Sequence, residues 1–258
     1  MADGWHYYKC KVGKEPTRLK TITTASQARG KAEVFPSVTS VLSLLPNPFI
    51  NQWRGRKMVE LKEEDPSRSM EELEQLVWGV RECPETGETI SSSEFGTKAH
   101  AAIELHFTDN ECLPNSYSPI AEQTIDYLEQ NFTFAYAEKV LVDHDLRIAG
   151  TVDYIGQDKD GKWMLADFKF RDIKEGKKPS YYAKDKAQLA IEGEMWRTAM
   201  NLDYSPDLYS IVVDSNTGKC FPKKWSEKMR QQGIRMATQA AQLYWGLDEY
   251  GYVDNEQN

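Results

Sequence analysis

The sequence predicts an α/β fold with a central mixed sheet, in which a three-stranded antiparallel meander is flanked by helices. Two runs of alternating apolar residues, Ile148–Ile155 and Lys162–Phe170, are joined by a short polar link that contains Asp160-Gly161. Such a link is typical of a hairpin. A third run, Phe134–Val142, precedes them across a polar turn. Segments with apolar residues at helical spacing lie on both sides of these strands, which predicts the flanking helices.

Helices are predicted from their start and stop signals and their periodicity. Ser37 is a predicted N-cap for a helix that begins at Val38, and Pro46 and Pro48 end that helix. The other predicted helices begin at Phe49 and span Met70–Val80, Ser91–His106, Ser118–Phe132, Tyr181–Met200 and Trp225–Tyr250. One more strand is predicted at Leu208–Asp214. The acidic segment 63–94 is interpreted as an inserted helical hairpin or lid.

Length and composition favour one domain. The chain has 258 residues, of which 40% are hydrophobic and 28% charged, as in soluble globular proteins. We expect one domain over 1–258, with an N-terminal extension at 1–35, a helical elaboration at about 36–95 and a core at about 96–250. No apolar run approaches the length of a membrane span, and the first residues lack a signal-peptide core. No membrane partner and an intracellular location are therefore expected.

Two carboxylates and a lysine are predicted to meet on the hairpin. Asp153 lies in one strand, and Asp167 and Lys169 in the next. Side chains alternate along a strand, so Asp167 and Lys169 share a side, and folding the hairpin can bring Asp153 beside Asp167. Carboxylate oxygens suit Mg²⁺ or Mn²⁺, and a lysine beside such a cation can orient water or stabilise charge on a phosphate. A surface charge pattern is the alternative explanation for these three residues taken alone.

Basic residues are concentrated in two segments although the net charge is −8. Seven basic residues face three acidic ones over Lys169–Lys186, and six face one over Lys219–Arg235. A locally basic groove can bind a phosphate backbone in a protein that is acidic overall. The four cysteines, at positions 10, 83, 112 and 220, are too scattered for a zinc knuckle or iron–sulfur signature, so reduced thiols are expected.

Three polar residues on predicted helices are further site candidates. His100 and Glu104 are four residues apart and so share a helix face, and Gln188 lies on the helix after the basic loop. A helical histidine or glutamine taken alone is more often a packing or surface residue than a ligand. Their value as candidates depends on the rest of the pattern.

The order of the motifs resembles the PD-(D/E)XK nucleases, most closely their RecB-type exonuclease branch. The motifs are Gly96-Thr97-x-x-His100, Gly150-Thr151-Val152-Asp153, Asp167-Phe168-Lys169 and Gln188. The stretch Pro36–Leu42 is also similar to phage-encoded members and to mitochondrial genome-maintenance exonucleases. The resemblance spans roughly 36–196. Each motif is short, but four in the right order form a fairly specific pattern.

The resemblance implies a Mg²⁺ or Mn²⁺ site. Its ligands would be the side chains of His100, Asp153 and Asp167 and the carbonyl of Phe168. Lys169 would position or activate water, and Gln188 would contact the substrate or Lys169. Glu138 matches a glutamate found in many members on the preceding strand, where it could face the site or solvent. Two departures are a glutamate, Glu192, where a tyrosine often follows the glutamine, and the absence of clustered C-terminal cysteines.

The pattern as a whole predicts a deoxyribonuclease, acting as an exonuclease on DNA ends or single strands. DNA would be held by Lys174, Lys177, Lys178, Tyr181, Tyr182 and Lys184. A structure-specific endonuclease and a catalytically silent DNA-binding module are the alternatives. A homo-oligomer or a recombination partner protein is a further expectation. The expected location is the cytoplasm, or the host cytoplasm if the chain is phage-encoded.

Overall fold

A computed structural model describes residues 5–108 and 116–249 of the chain. The first half contains β1 (Tyr7–Lys9), β2 (Thr17–Leu19), α1 (Ala25–Ala28), β3 (Val34–Pro36), α2 (Val38–Ser43), α3 (Pro48–Glu64), α4 (Met70–Val77), β4 (Val80–Glu82), β5 (Thr89–Ser91), α5 (Ser92–Thr108) and α6 (Ser118–Asn131). The second half contains β6 (Thr133–Asp143), β7 (Ile148–Gln157), β8 (Trp163–Arg171), α7 (Ala183–Ala199), β9 (Asp207–Asp214), β10 (Cys220–Lys224) and α8 (Glu227–Glu249). Tyr250, the predicted end of the last helix, lies outside the described residues.

The central sheet has five strands in the order β10-β9-β8-β7-β6. Strands β6, β7 and β8 form the predicted antiparallel meander, whereas β8 and β9 are parallel and are connected through α7. The prediction of an α/β fold with a mixed sheet is therefore confirmed. Two smaller antiparallel sheets, β2-β1-β3 and β4-β5, were not predicted in detail. Their strands are three residues long, which is too short for a periodicity to be read.

Helices cover both faces of the sheet, and the sheet separates the core into two parts. On one face, α2, α7 and α8 pack against Val152, Leu165 and Leu208. On the other face, α5 and α6 pack against Tyr154 and Phe168, among others. The sheet is thus buried on both sides, and its central strands are apolar along most of their length. No helix in the described part of the chain is long and apolar enough to cross a membrane.

The N-terminal helical elaboration starts as predicted and ends differently. The hydroxyl of Ser37 accepts a hydrogen bond from the backbone N–H of Ser40 and so caps α2. Helices α3 and α4 pack on each other through Leu61, Leu73 and Val77. The helix predicted to reach Val80 stops at Val77, because the chain turns at Gly79 (φ 86) into β4. Trp53, on α3, is 43% exposed.

Three of the four cysteines lie in the described residues and are free thiols. Cys10 and Cys83 are buried, and Cys220 is half-buried. Cys112 lies outside the described residues. The expectation of reduced thiols therefore agrees with these three positions.

Helices α7 and α8 approach closely at Gly233, and we expect Gly233→Ala to destabilise the protein. A Cβ there would lie 2.6 Å from the Cβ of Ala190 and 2.9 Å from the carbonyl oxygen of Lys186. The helices would have to move apart, at a cost of about 1–3 kcal/mol of unfolding free energy. Gly246 lies on the same helix with nothing within 4 Å of such a Cβ. Gly246→Ala should stabilise the protein by about 1 kcal/mol through helix propensity. Chemical denaturation measures the unfolding free energy of both variants, which should fall in Gly233→Ala and rise in Gly246→Ala.

Candidate functional site

The pairing between β7 and β8 stops at the candidate site. Backbone pairing runs from Gln157↔Trp163 to Tyr154↔Ala166. At the next position a side chain replaces the ladder, because the Asp153 carboxylate accepts a hydrogen bond of 2.6 Å from the backbone N–H of Phe168. The two strands therefore open at the residues that the sequence singled out.

Strand β6 is irregular directly opposite Asp153. The register pairs Ala137 with Tyr154 and Lys139 with Val152, and omits Glu138 and Asp153 between them. Glu138 has a φ of 48°, which is uncommon for a residue other than glycine and is a strained conformation within a strand. Side chains two residues apart on a regular strand lie on the same face of the sheet. Val152 packs in the core under α7 and Tyr154 in the core under α5, so the regular alternation of side chains along β7 is broken at Asp153. This irregularity turns Glu138 and Asp153 towards each other.

His100, Glu138 and Asp153 form a three-residue cluster of metal-ligand type. One ligand atom from each lies within 4.8 Å of the other two. The Nδ1 atom of His100, on α5, is 3.5 Å from Oδ2 of Asp153. The imidazole is held against two rings of β8, with its centroid 5.9 Å from that of Phe168 and 5.4 Å from that of Phe170. In the described part of the chain, this is the place where three side chains of ligand type come close enough together to hold one cation.

The electrostatics of the cluster follow from its burial and its charges. Burial lowers the pKa of His100, but the charge and hydrogen bond of Asp153 outweigh it and leave this pKa raised. Burial raises the pKa of Asp153, but the charges of His100 and Lys169 and the Phe168 N–H bring it below its usual value. Burial and the Asp153 charge raise the pKa of Glu138 to about 7. The carboxylate of Asp153 is thus stabilised by nearby positive charge, whereas that of Glu138 is destabilised by burial and by the Asp153 charge.

Asp167 and Lys169 form an ion pair next to this cluster. The Lys169 ammonium donates to Oδ1 of Asp167 at 2.6 Å, so the prediction that the two share a side of β8 is confirmed. Asp167 is only 2% exposed, and its Oδ2 has no hydrogen-bond partner among the described residues. Burial raises the pKa of Asp167 to about 6 although Lys169 opposes this shift. The Asp167 and Asp153 charges, acting against burial, raise the pKa of Lys169.

Asp167 lies outside the three-residue cluster, so His100 and Asp153 come together with Glu138 rather than with Asp167. The N–H of Phe168 is engaged by Asp153. Gln188, on α7, donates to Oε1 of Glu192 at 3.3 Å and does not line the cleft at the cluster. Of the expected side-chain ligands, His100 and Asp153 thus lie in the cluster, and Asp167 lies in the ion pair on β8.

Glu192 is a buried acid that the sequence interpretation noted only as a departure. Its side chain is almost fully buried, and Oε2 has no hydrogen-bond partner in the part of the chain that the structure describes. Burial and the charges of Asp167 and Asp153 raise its pKa well above the usual value. Gly150 makes room for it, because a Cβ at that position would lie 2.5 Å from Oε1 of Glu192. The available signal was its spacing of four residues from Gln188 on one helix face.

We expect Glu192→Gln to flatten the pH dependence of stability. A carboxyl whose folded pKa is raised contributes stability that is complete below its unfolded pKa and is lost as pH rises through the folded pKa. With a chelator present, the unfolding free energy of the wild type should fall as the pH rises above the ordinary pKa of a glutamate, and that of Glu192→Gln should fall less. Denaturation at several pH values measures both. Glu122→Gln, on the exposed side of α6, is the matched control and should follow the wild type.

A cleft and a larger groove adjoin the cluster. The cleft has a volume of about 480 Å³, and its lining includes Gly96, His100, Glu104, Glu138, Asp153 and Lys169. The groove has a volume of about 1000 Å³, and its lining includes Trp53, Trp78, Arg171, Lys174, Lys177, Lys178 and Tyr182. Ser92 and Phe170 line both, so the two depressions are contiguous. Four of the six predicted DNA-binding residues are in the groove.

The other two predicted DNA-binding residues lie elsewhere. The hydroxyl of Tyr181 donates to the carbonyl of Phe221, and its ring packs edge-on against Trp225. Lys184 is half-buried, which lowers its pKa, and it does not line the groove. In the second basic segment, Lys224 pairs with Asp207, and Arg230 pairs with Glu194 and Glu227. The side chains of Lys224 and Arg230 are therefore in ion pairs within the protein, in contrast to the lysines of the groove.

Comparison with known proteins gives distant structural likenesses only. No protein-family model matches the sequence, and no curated protein matches it. A crystal structure described as "Putative exonuclease" from Eubacterium rectale has 12% identity and a TM-score of 0.41 over 62% of this chain and 69% of that chain. The structure of SSO0001 has 14% identity and a TM-score of 0.36 over 80% of this chain and 75% of that chain. At this level neither likeness supports an argument about the site.

Proposed function

We propose that the chain is a metal-dependent nuclease that hydrolyses DNA phosphodiester bonds, acting as an exonuclease on ends or single strands. The observation that supports it best is the meeting of His100, Glu138 and Asp153 in a cleft that Lys169 also lines. Cation ligands and a lysine ammonium in one cleft are groups that can promote phosphodiester hydrolysis. The adjoining groove, with its exposed lysines, supports a polyanionic substrate.

The donor set fits Mg²⁺ or Mn²⁺. Two carboxylates and one imidazole offer oxygen and nitrogen atoms, with no thiolate, at a spacing that one cation can bridge. We propose Asp167 as a further ligand, because its Oδ2 is buried and no described residue hydrogen-bonds to it. The carbonyl of Phe168 stays a predicted ligand. When bound, the cation would polarise the scissile phosphate and lower the pKa of a water molecule.

Lys169 has the central role among the protein groups. Its raised pKa keeps it protonated at neutral pH, so it acts as a hydrogen-bond donor rather than as a base. Oδ1 of Asp167 fixes the ammonium at the wall of the cleft. We propose that Lys169 orients the attacking water or donates to a phosphate oxygen as negative charge develops there. The buried Glu192 carboxyl, which accepts a hydrogen bond from Gln188, lies close enough to this pair for the charges of Asp167 and Lys169 to affect its pKa.

The activity is tested with labelled linear DNA, single-stranded and duplex, in the presence of Mg²⁺, Mn²⁺ or a chelator. We expect degradation by the wild type with either metal and none with the chelator, and we expect His100→Ala to be strongly impaired. Circular single-stranded DNA separates the alternatives, since an endonuclease cuts it and a strict exonuclease does not. DNA binding without cleavage under any metal condition would instead favour the silent DNA-binding module.

A further inference from the structure

The groove beside the cleft has two chemically different walls. One wall is formed by Trp53 of α3 and Trp78, the residue after α4, whose ring centroids are 6.1 Å apart. The other wall carries Lys174, Lys177 and Lys178 on the loop between β8 and α7. The groove leads past Ser92 and Phe170 into the cleft that contains Lys169. Aromatic rings and basic side chains that line one groove are an arrangement that suits a nucleic acid strand.

The two tryptophans are exposed although they lie next to an apolar core. Helices α3 and α4 bury Leu61, Leu73 and Val77 against each other, while Trp53 and Trp78 stay 43% and 54% exposed. Gly79 has a φ of 86° and turns the chain directly after Trp78, which leaves that ring at a corner of the groove. Neighbouring exposed aromatic rings are characteristic of a binding surface, because leaving them in water is unfavourable.

The basic wall is held at its base and free at its tip. Arg171 donates to the carbonyl of Ser180 and to Asp185, and its guanidinium lies 4.1 Å from the centre of the Tyr182 ring. Lys174, Lys177 and Lys178 are exposed, and none of them is in an ion pair with another described residue. Their ammonium groups are therefore available to phosphates.

From these observations we infer that the groove is the path of a single-stranded DNA segment whose unpaired bases stack on Trp53 and Trp78. The inference rests on the proposed nuclease function, which it deepens by naming the substrate form. A duplex contacts lysines as well as a single strand does, but its base faces are covered by their neighbours. Along a duplex the only free base faces are at its two ends, so exposed tryptophan rings find far more stacking partners on a single strand. The aromatic wall therefore selects single strands, and the basic wall supplies affinity that does not depend on sequence.

The test measures binding in a chelator, so that it does not depend on cleavage. A labelled oligothymidylate and a blunt duplex of equal length are titrated with protein, and fluorescence anisotropy is followed. We expect Trp53→Leu and Trp78→Leu each to weaken single-strand binding by about 5- to 160-fold, the range expected when one base no longer stacks. Trp53→Phe and Trp78→Phe should bind nearly as the wild type. Phe49→Ala, which removes an 81% exposed ring on α3 outside the groove lining, is the matched control and should have no effect.

Salt dependence separates the two walls. Alanine at Lys174, Lys177 and Lys178 together should reduce the salt slope of single-strand binding, by roughly 0.7 for each phosphate that the protein no longer neutralises. The leucine variants of the tryptophans should weaken binding without changing that slope. Unchanged single-strand binding in the leucine variants, or equal weakening of duplex binding, would overturn the inference. Metal-dependent cleavage together with that result would leave the nuclease proposal standing. Tryptophan-dependent single-strand binding without cleavage would support the proposed single-strand path and would contradict the proposed nuclease activity.

Discussion

Replacing Lys169 with methionine is expected to reduce DNA cleavage on the order of 10²–10³-fold, as when a single transition-state donor is removed. Methionine keeps most of the aliphatic length but has no ammonium. Asp167 would then be left without its cationic partner, and its pKa, already raised to about 6, would rise further. The carboxyl becomes neutral rather than remaining a buried unpaired charge, which limits the loss of stability. Single-turnover cleavage with Mg²⁺ measures the effect.

The matched control for this variant is Lys159→Met, on the exposed turn of the same hairpin. It should cleave at the wild-type rate. Both variants should bind single-stranded DNA in a chelator as the wild type does, because the groove lysines are unchanged. Wild-type cleavage by Lys169→Met would exclude the role proposed for the ammonium. Loss of binding together with cleavage would show that the variant had disturbed the fold rather than the chemistry.

Replacing Glu138 with glutamine is expected to weaken binding of Mn²⁺ strongly. The amide keeps the shape of the side chain and removes one of the negative charges that face His100 and Asp153. Loss of an outer-shell partner typically costs about 10- to 100-fold in metal affinity, and we expect a direct ligand to cost at least as much. The measurement is the rise of the melting temperature with Mn²⁺ concentration, which follows from preferential binding to the folded state.

Glu104→Gln is the matched control for Glu138→Gln. Glu104 lines the same cleft but lies outside the three-residue cluster. It should retain a metal-dependent rise in melting temperature close to that of the wild type. If Glu104→Gln lost more of the metal-dependent rise in melting temperature than Glu138→Gln, the cation site would have to be assigned to α5 rather than to β6. Equal and unchanged responses would rule out Glu138 as a ligand.

The sequence was sufficient for the meander and for most helices because those elements are long and periodic. Ser37 capped its helix as predicted, and Asp167 and Lys169 paired across two positions of one strand. The strand β10 was missed because it contains Pro222 and two lysines. Such a segment fits only at the edge of a sheet, which is where it pairs with β9.

The details of the site depend on backbone irregularity and on tertiary burial. Glu138 could be placed on a strand, but the direction of its side chain depends on a φ of 48°, which no pattern of residues predicts. Glu192 has the pattern of an ordinary helical glutamate until α7 is packed against the sheet beside Gly150. Tyr181 and Lys184 were grouped with the groove residues by proximity in sequence, whereas the Tyr181 hydroxyl donates to the carbonyl of Phe221 and Lys184 lies outside the groove lining. These outcomes depend on three-dimensional packing, which local periodicity does not encode.

The opening between β7 and β8 leaves the two halves of the site with different backbone pairing. Beyond Ala166, β8 is paired on one side only, through the parallel register that matches Asp167 with Ser210 and Lys169 with Val212. The half with Lys169 is therefore anchored by a regular ladder. The half with Glu138 and Asp153 is held by an interrupted one. Amide hydrogen exchange should be slower in the first half than in the second. A cation would then rigidify the half that can adjust to it, without shifting the lysine beside it.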